Sequence, residues 1–167
     1  IGTMLQDEAL RFIRLGTFLE RADNTARILE VKYLNLLPGA DEETAHAADY
    51  YQWSALLQSV SAFEVYRKVY RGQITPLRVA ELLVLRADMP RSLARSMKEV
   101  YSNLTRVSNA RSAETERLAG ELESHLRFGR IERIFEGGFR KYLEDFRDRI
   151  FDLGCRISDD FLIPASS

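Results

Sequence analysis

The feature that most constrains the fold is a helical repeat near the start of the chain, from Gln6 to Tyr33. Apolar residues there recur at alternating steps of three and four, the spacing that places side chains along one side of an α-helix. These positions are Phe12, Leu15, Leu19, Ala22, Ala26, Leu29 and Tyr33. We therefore predict a long helix whose apolar side packs against other helices.

A row of chemically active side chains lies beside this apolar side. Successive residues of a helix turn by about 100°, so Gly16, Glu20, Asp23 and Arg27 fall close together in projection. Further apolar residues follow on the far side of the row: Ile13, Ile28 and Val31. Because apolar residues border the row on both sides, we predict that Glu20, Asp23 and Arg27 are mostly buried or line a cleft. We also predict that Arg27 contacts at least one of the two carboxylates.

Two interpretations of this row stay open. Asp23 and Arg27 have the spacing of a helical ion pair, which leaves Glu20 free to act as an acid, a base or a ligand. Alternatively, the charges form a buried ion pair that fixes how the helix packs. Gly16 favours a close neighbour, either a crossing helix or a ligand, because glycine within a helix costs about 0.5–1 kcal/mol relative to alanine.

The remainder of the chain continues the helical spacing and has no segment with the alternation typical of strands. A second helix is predicted from Tyr50 to Tyr70, after a break at Pro38-Gly39 and an acidic segment, Ala40 to Asp49, that is either a mobile connection or a weak first turn. Further starts are indicated at Thr75-Pro76, Asp88-Met89-Pro90 and Ser108-Asn109, and Gly137-Gly138 precedes the last helix. We predict an all-α fold, an antiparallel helical bundle of five to six helices with no sheet.

Composition and charge exclude several classes of function. The formal net charge is −1, so no strong field attracts nucleic acid or an anionic membrane, and no apolar run reaches the roughly 20 residues that span a bilayer. A chain of 167 residues with 46% hydrophobic residues fits one domain. We place this domain at residues 1–163 and a disordered tail at residues 164–167. The single cysteine, Cys155, fits a cytoplasmic location and a position in the core.

The sequence supports neither a metal site nor a cofactor. Carboxylate-bridged metal sites in helical bundles use Glu-x-x-His pairs on two helices. Of the two histidines, His46 has such a glutamate, Glu43, whereas His125 has Leu122 at that position. No glycine-rich phosphate loop and no Gly-x-Ser-x-Gly elbow is present. We therefore predict no metal, no cofactor and no bound nucleotide.

Several segments resemble one known family. The run Leu15-Gly16, Leu19-Glu20-Arg21-Ala22-Asp23, Thr25-Ala26-Arg27 and Leu29-Glu30-Val31 resembles the signature of the alpha-E domain family, bacterial helical proteins named for a conserved glutamate-arginine motif. The segment WSALLQSVSAFEVYRKVY, from Trp53 to Tyr70, and the helix start at Pro90-Arg91-Ser92 resemble later blocks of that family. Members are longer than this chain, so the resemblance implies the later portion of a longer domain.

The resemblance implies a biological setting and a set of binding residues. Alpha-E domains occur beside or fused to circularly permuted ATP-grasp proteins and transglutaminase-like proteases. This implies an ATP-grasp ligase and a transglutaminase-like protease as partners, in a bacterial system that forms or trims amide bonds. Carried over residue by residue, the binding candidates are Glu20, Arg21, Asp23, Thr25, Arg27, Arg91 and Ser92.

Three functions follow as expectations. The chain is an accessory or binding component beside the ligase, or an enzyme domain in which Glu20 is the acid or base and Arg27 binds a carboxylate, or a structural bundle that oligomerises. Whether it is an enzyme is left open. For a domain cut from a longer bundle we also expect an exposed apolar surface, or a homo-oligomer formed through that surface.

Overall fold

The structure, a computed structural model, describes residues 6–34 and 42–162. Within these ranges the chain forms eight α-helices and a closing π-helical turn. They are α1 (Gln6–Leu34), α2 (Glu42–Ser59), α3 (Phe63–Tyr70), α4 (Pro76–Leu85), α5 (Leu93–Arg106), α6 (Ala113–Arg127), α7 (Ile131–Glu136), α8 (Phe139–Ile157) and the π-helical turn Ser158–Leu162. No strand occurs in these ranges, so the all-α prediction is confirmed. The predicted break at Pro38-Gly39 and the tail at 164–167 lie outside the described residues.

Helix α1 packs against both α5 and α8. Four residues of its predicted apolar side are buried: Leu15, Ala22, Ala26 and Leu29. The two alanines are fully buried, and side chains this small allow a neighbouring helix to approach closely. These positions confirm the helical period that the sequence shows.

Contacts along α1 show that both neighbouring helices run antiparallel to it. Near its end, the Tyr33 ring lies 4.6 Å from the ring of Phe139 at the start of α8. Near its beginning, the Phe12 ring lies 5.2 Å from the ring of Phe161, beyond the end of α8. Helix α5 is likewise reversed, because Arg11 near the start of α1 donates to Asn103 near the end of α5.

The predicted second helix is interrupted, which is one reason why the described helices outnumber the five to six expected. Helix α2 ends at Ser59, and Ser61 adopts a left-handed backbone conformation with φ of 57° before α3 begins. The apolar period continues across the break, since Val60 and Ala62 are both buried. The spacing of apolar residues alone therefore does not reveal the break between α2 and α3. The other additional helix is α7, a single short segment between two glycine-containing turns.

The starts of α4 and α5 are set by side chains that cap the helix. Thr75 Oγ1 accepts a hydrogen bond from the Arg78 backbone N–H, and Pro76 occupies the first helical position, as predicted. At α5 the prediction is corrected: Pro90 lies in the preceding turn, and Ser92 is the capping residue. None of the described helices is both long and apolar enough to cross a membrane.

Candidate functional site

The predicted row of charges lies at the surface of α1. Arg27 donates from Nε to Asp23 Oδ2 at 2.6 Å, so the predicted contact with a carboxylate is present. The Arg27 side chain is 60% exposed and that of Asp23 is 32% exposed, and Glu20 is exposed as well. The prediction that all three are mostly buried is therefore wrong, although Asp23 and Arg27 do line a groove. The reason is that the apolar residues on the far side of the row are themselves exposed.

A second arginine, from α8, joins the row. Arg147 donates from Nε to Asp23 Oδ1 at 3.2 Å and from Nη1 to Glu30 Oε2 at 2.8 Å. The hydrogen bond to Glu30 is the main cause that raises the pKa of the Arg147 guanidinium, and Asp23 raises it further. Both carboxylate oxygens of Asp23 are thus engaged. The four charges of Asp23, Arg27, Glu30 and Arg147 balance and connect α1 to α8.

Sequence reasoning missed Arg147, because it lies far from α1 in the chain. The signal that marks it is its position directly after the buried Phe146, at the edge of the apolar side of α8. The Arg147 side chain is only 28% exposed, and its ion-pair partners lie on the neighbouring helix α1. The packing of α8 on α1, which residue spacing alone does not reveal, decides that these partners are Asp23 and Glu30.

A groove opens between α1 and α8 beside this charged cluster. Its volume is about 390 Å³. It is lined by Leu19, Asp23, Arg27, Ile150, Phe151, Gly154, Cys155 and Ser158. Phe151 is 75% exposed, and a Cβ atom added at Gly154 would meet no other atom within 4 Å. The groove therefore combines apolar walls and open space with one charged edge.

Arg27 retains hydrogen-bonding capacity at this edge. Among the residues that the structure describes, only its Nε atom has a hydrogen-bond partner. A guanidinium has five N–H donors, so its two terminal amino groups still offer four. Their planar arrangement matches the two oxygens of a carboxylate. The arrangement can bind a carboxylate whose apolar neighbouring group lies in the groove.

Glu20 and Arg21, the Glu-Arg pair of the sequence motif, are absent from the lining of the groove. Glu20 forms neither a hydrogen bond nor an ion pair with any described residue. The Arg21 guanidinium lies 5.1 Å from the ring centroid of Phe18, on the same helix. The motif pair thus lies outside the groove: Glu20 is two turns before Arg27 on nearly the same side of α1, and Arg21 lies about 100° farther round.

The other three predicted residues lie where α1 meets the start of α5. Thr25 is buried and donates its hydroxyl to the Arg91 carbonyl oxygen at 2.9 Å. Ser92, also buried, accepts at Oγ from the Arg95 backbone N–H at 2.9 Å and donates to the Arg86 carbonyl oxygen at 2.6 Å. The structure thus brings Thr25, Arg91 and Ser92 together, but on a different side of α1 from the groove. Their hydrogen bonds hold the start of α5.

Two expectations about single residues are also corrected. A Cβ atom added at Gly16 would meet nothing within 4 Å, so no helix in the described structure requires that glycine. Cys155 is exposed and lines the groove, whereas the sequence placed it in the core. It lies about 200° around the helix from the buried Leu153, which explains its exposure.

The predicted binding residues lie outside three larger depressions on the described surface. Three larger depressions, of about 600, 680 and 820 Å³, contain none of the seven binding candidates. In the described ranges no group of three or more His, Cys, Asp or Glu residues could hold a metal ion. The side chains of Glu43 and His46 lie outside that description.

One comparison with known proteins gives a match. A family model, Alpha-E, described as a predicted alpha-helical domain with a conserved ER motif, matches residues 1–162. The chain matches no curated protein and no solved structure. The matched range includes α1, α8 and every residue that lines the groove.

Proposed function

Because the chain belongs to the Alpha-E family, we propose that it is an accessory binding domain that holds the carboxylate end of a peptide-like molecule in the groove between α1 and α8. In this proposal it acts in the bacterial cytoplasm beside an ATP-grasp ligase that forms amide bonds. A transglutaminase-like protease is the second partner. Both partners are those that the family resemblance implies.

The observation that supports binding is the combination of Arg27 and the apolar groove. Asp23 receives hydrogen bonds from Arg27 and from Arg147, and these bonds fix the Nε side of the Arg27 guanidinium. The terminal amino groups of Arg27 are unpaired among the described residues, and Leu19, Ile150 and Phe151 supply apolar contact nearby. Charge-assisted, two-point binding of a carboxylate by arginine is a common mode of recognition. A peptide with a free terminal carboxylate and an apolar last side chain fits both features.

The enzyme alternative has less support than binding. It requires Glu20 to reach the bound group as an acid or base, and a catalytic group must come within hydrogen-bond distance of the atom it serves. Glu20 is exposed and does not line the groove that Arg27 borders. Binding of a carboxylate by Arg27 and the groove requires no contribution from Glu20.

Fluorescence anisotropy with labelled tetrapeptides tests the binding step. The wild-type chain should bind a peptide that ends in leucine with a free carboxylate, and the same peptide with an amidated end should bind much more weakly. Arg27→Gln should weaken binding by about tenfold to a hundredfold, the value of a hydrogen-bonded charge. Gly154→Leu should also weaken binding, because the new side chain would occupy the open part of the groove.

The matched control is Arg14→Gln, which removes an exposed arginine from the same helix outside the groove. It should leave binding unchanged. Equal affinity of the wild-type chain for the acid and the amide would contradict the proposal. The ligase partnership is tested separately: amide formation by the ATP-grasp protein should increase when the wild-type chain is added and should not increase with Arg27→Gln.

A further inference from the structure

The outward side of α1 carries an apolar surface that the described helices leave uncovered. Leu10 is 46% exposed, Ile13 66%, Ile28 37% and Val31 62%. They form two exposed apolar pairs, Leu10 with Ile13 and Ile28 with Val31, and exposed apolar patches mark interaction sites. With Thr17, Glu20, Arg21 and Asn24 they form one outward strip, which we call the α1 seam.

The α1 seam has a two-fold pattern. Leu10 and Val31 lie equally far from the midpoint between Glu20 and Arg21, and so do Ile13 and Ile28. Between them, the polar residues Thr17 and Asn24 are also equally distant from that midpoint. Apolar residues therefore occupy both ends of the seam, and polar or charged residues occupy its centre.

We propose that two copies of this chain pair through the α1 seam, antiparallel, about a two-fold axis that passes between Glu20 and Arg21. In this register Leu10 of one copy lies opposite Val31 of the other, and Ile13 lies opposite Ile28. Along each helix the paired positions are three or four residues apart, which is the spacing of contact residues in an antiparallel coiled coil. From Leu10 to Val31 the seam is about 32 Å long, or about three heptads.

The charges at the centre of the seam indicate that its binding partner is a second copy of this chain. Antiparallel pairing places Glu20 of each copy opposite Arg21 of the other, so two carboxylates and two guanidiniums form a neutral cluster. Glu20 has no ion-pair partner among the described residues of its own chain, although it is exposed in the middle of the seam. A self-complementary patch of this kind is what a two-fold dimer requires. The pairing thus gives a role to the Glu-Arg motif.

The proposed dimer leaves the carboxylate groove accessible. Leu19 and Asp23 project toward α8, more than 90° around α1 from the middle of the seam, and Arg27 lies about 70° from it. The pairing is independent of the proposed ligand, since it uses no residue that lines the groove. A failure of peptide binding would therefore not contradict the proposed dimer, and a monomeric chain would not contradict peptide binding.

Sedimentation velocity with a charge-reversal series tests the central contact. The wild-type chain should be dimeric. Glu20→Arg places four positive charges at the centre and Arg21→Glu places four negative charges there, so each should weaken dimerisation by at least about tenfold. The double variant Glu20→Arg/Arg21→Glu restores the neutral cluster and should restore the dimer. Circular dichroism checks that each variant is folded.

Cysteine cross-linking tests the register in a Cys155→Ser background. The two copies of residue 13 would be about 22 Å apart along the axis, and so would the two copies of residue 28. A disulfide requires Cα atoms within about 7 Å. Ile13→Cys alone and Ile28→Cys alone should not form covalent dimers, whereas a mixture of the two should. A monomeric wild-type chain, failure of the double charge reversal to restore the dimer, or absence of cross-linking in the mixture would overturn the proposal.

Discussion

Arg27 and Arg147 bind the same carboxylate from different helices, and their exposure gives them different roles. Arg147 is 28% exposed, and both its Nε and Nη1 atoms are paired, so it acts as a connection between helices. Arg27 is 60% exposed and uses one of its three nitrogen atoms within the described structure. We therefore assign ligand binding in the proposed function to Arg27, the side chain that is only partly used.

Gly16 lies in helix α1 at a position with free space around it. A Cβ atom there meets no neighbour within 4 Å, so Gly16→Ala should raise the free energy of unfolding by about 0.5–1 kcal/mol through helix propensity alone. Gly120 is the matched control within a helix, because its Cβ atom would lie 2.8 Å from the Tyr101 ring. Gly120→Ala should therefore give no such gain. Urea denaturation of both variants measures the difference, and destabilisation by Gly16→Ala would show that another group contacts this position.

Helix α1 was predictable as an element, whereas its surroundings were not. Its period correctly gave Leu15, Ala22, Ala26 and Leu29 as buried residues. The same spacing rule placed apolar residues on both sides of the charged row, and burial was wrongly inferred for the row, because spacing does not say which sides neighbouring helices cover. The groove could not be predicted, since half of its lining comes from α8. The break at Ser61 was missed because buried residues flank it.

The connection between α1 and α8 gives a prediction about elements. Arg147→Gln removes the hydrogen bonds to Asp23 and Glu30, and Glu30 is only 14% exposed, so its charge would lose its partner in a partly buried place. We expect a loss of about 1–3 kcal/mol in the free energy of unfolding. Arg140→Gln is the control, because Arg140 pairs with Glu144 within α8 at the surface and should cost less than about 0.5 kcal/mol. If chemical denaturation gave equal losses of unfolding free energy for Arg147→Gln and Arg140→Gln, the stabilising role of the α1–α8 connection would be contradicted.

One hydrophobic core joins residues that are distant in the chain. Its buried residues extend from Leu15 in α1 to Ile157 at the end of α8. Three tyrosines at its margin are partly buried: burial raises the pKa of Tyr142 to about 12, and it also raises those of Tyr33 and Tyr70. Their phenolate forms are poorly solvated in the folded protein.

The stability of the fold should therefore decrease at alkaline pH. An unfolded tyrosine ionises near pH 10, whereas Tyr142 keeps its proton to about pH 12, so the unfolded state releases protons first. The contribution of Tyr142 is fully present below pH 10 and is lost as the pH rises toward 12, by about 2–3 kcal/mol. Tyr142→Phe should flatten this decline in the free energy of unfolding. Tyr51→Phe, at a side chain that is 74% exposed, should leave it unchanged.

The antiparallel contact of α1 with α8 has a consequence for synthesis on the ribosome. About 100 residues separate the end of α1 from the start of α8, which at common elongation rates corresponds to about 5–20 s. During this interval α8 has not yet been synthesised, so it cannot cover its part of the apolar side of α1. Asp23 and Glu30 also lack their ion-pair partner Arg147. A chaperone that binds apolar helices could bind α1 during this interval, and truncation before α8 would leave that side of α1 uncovered.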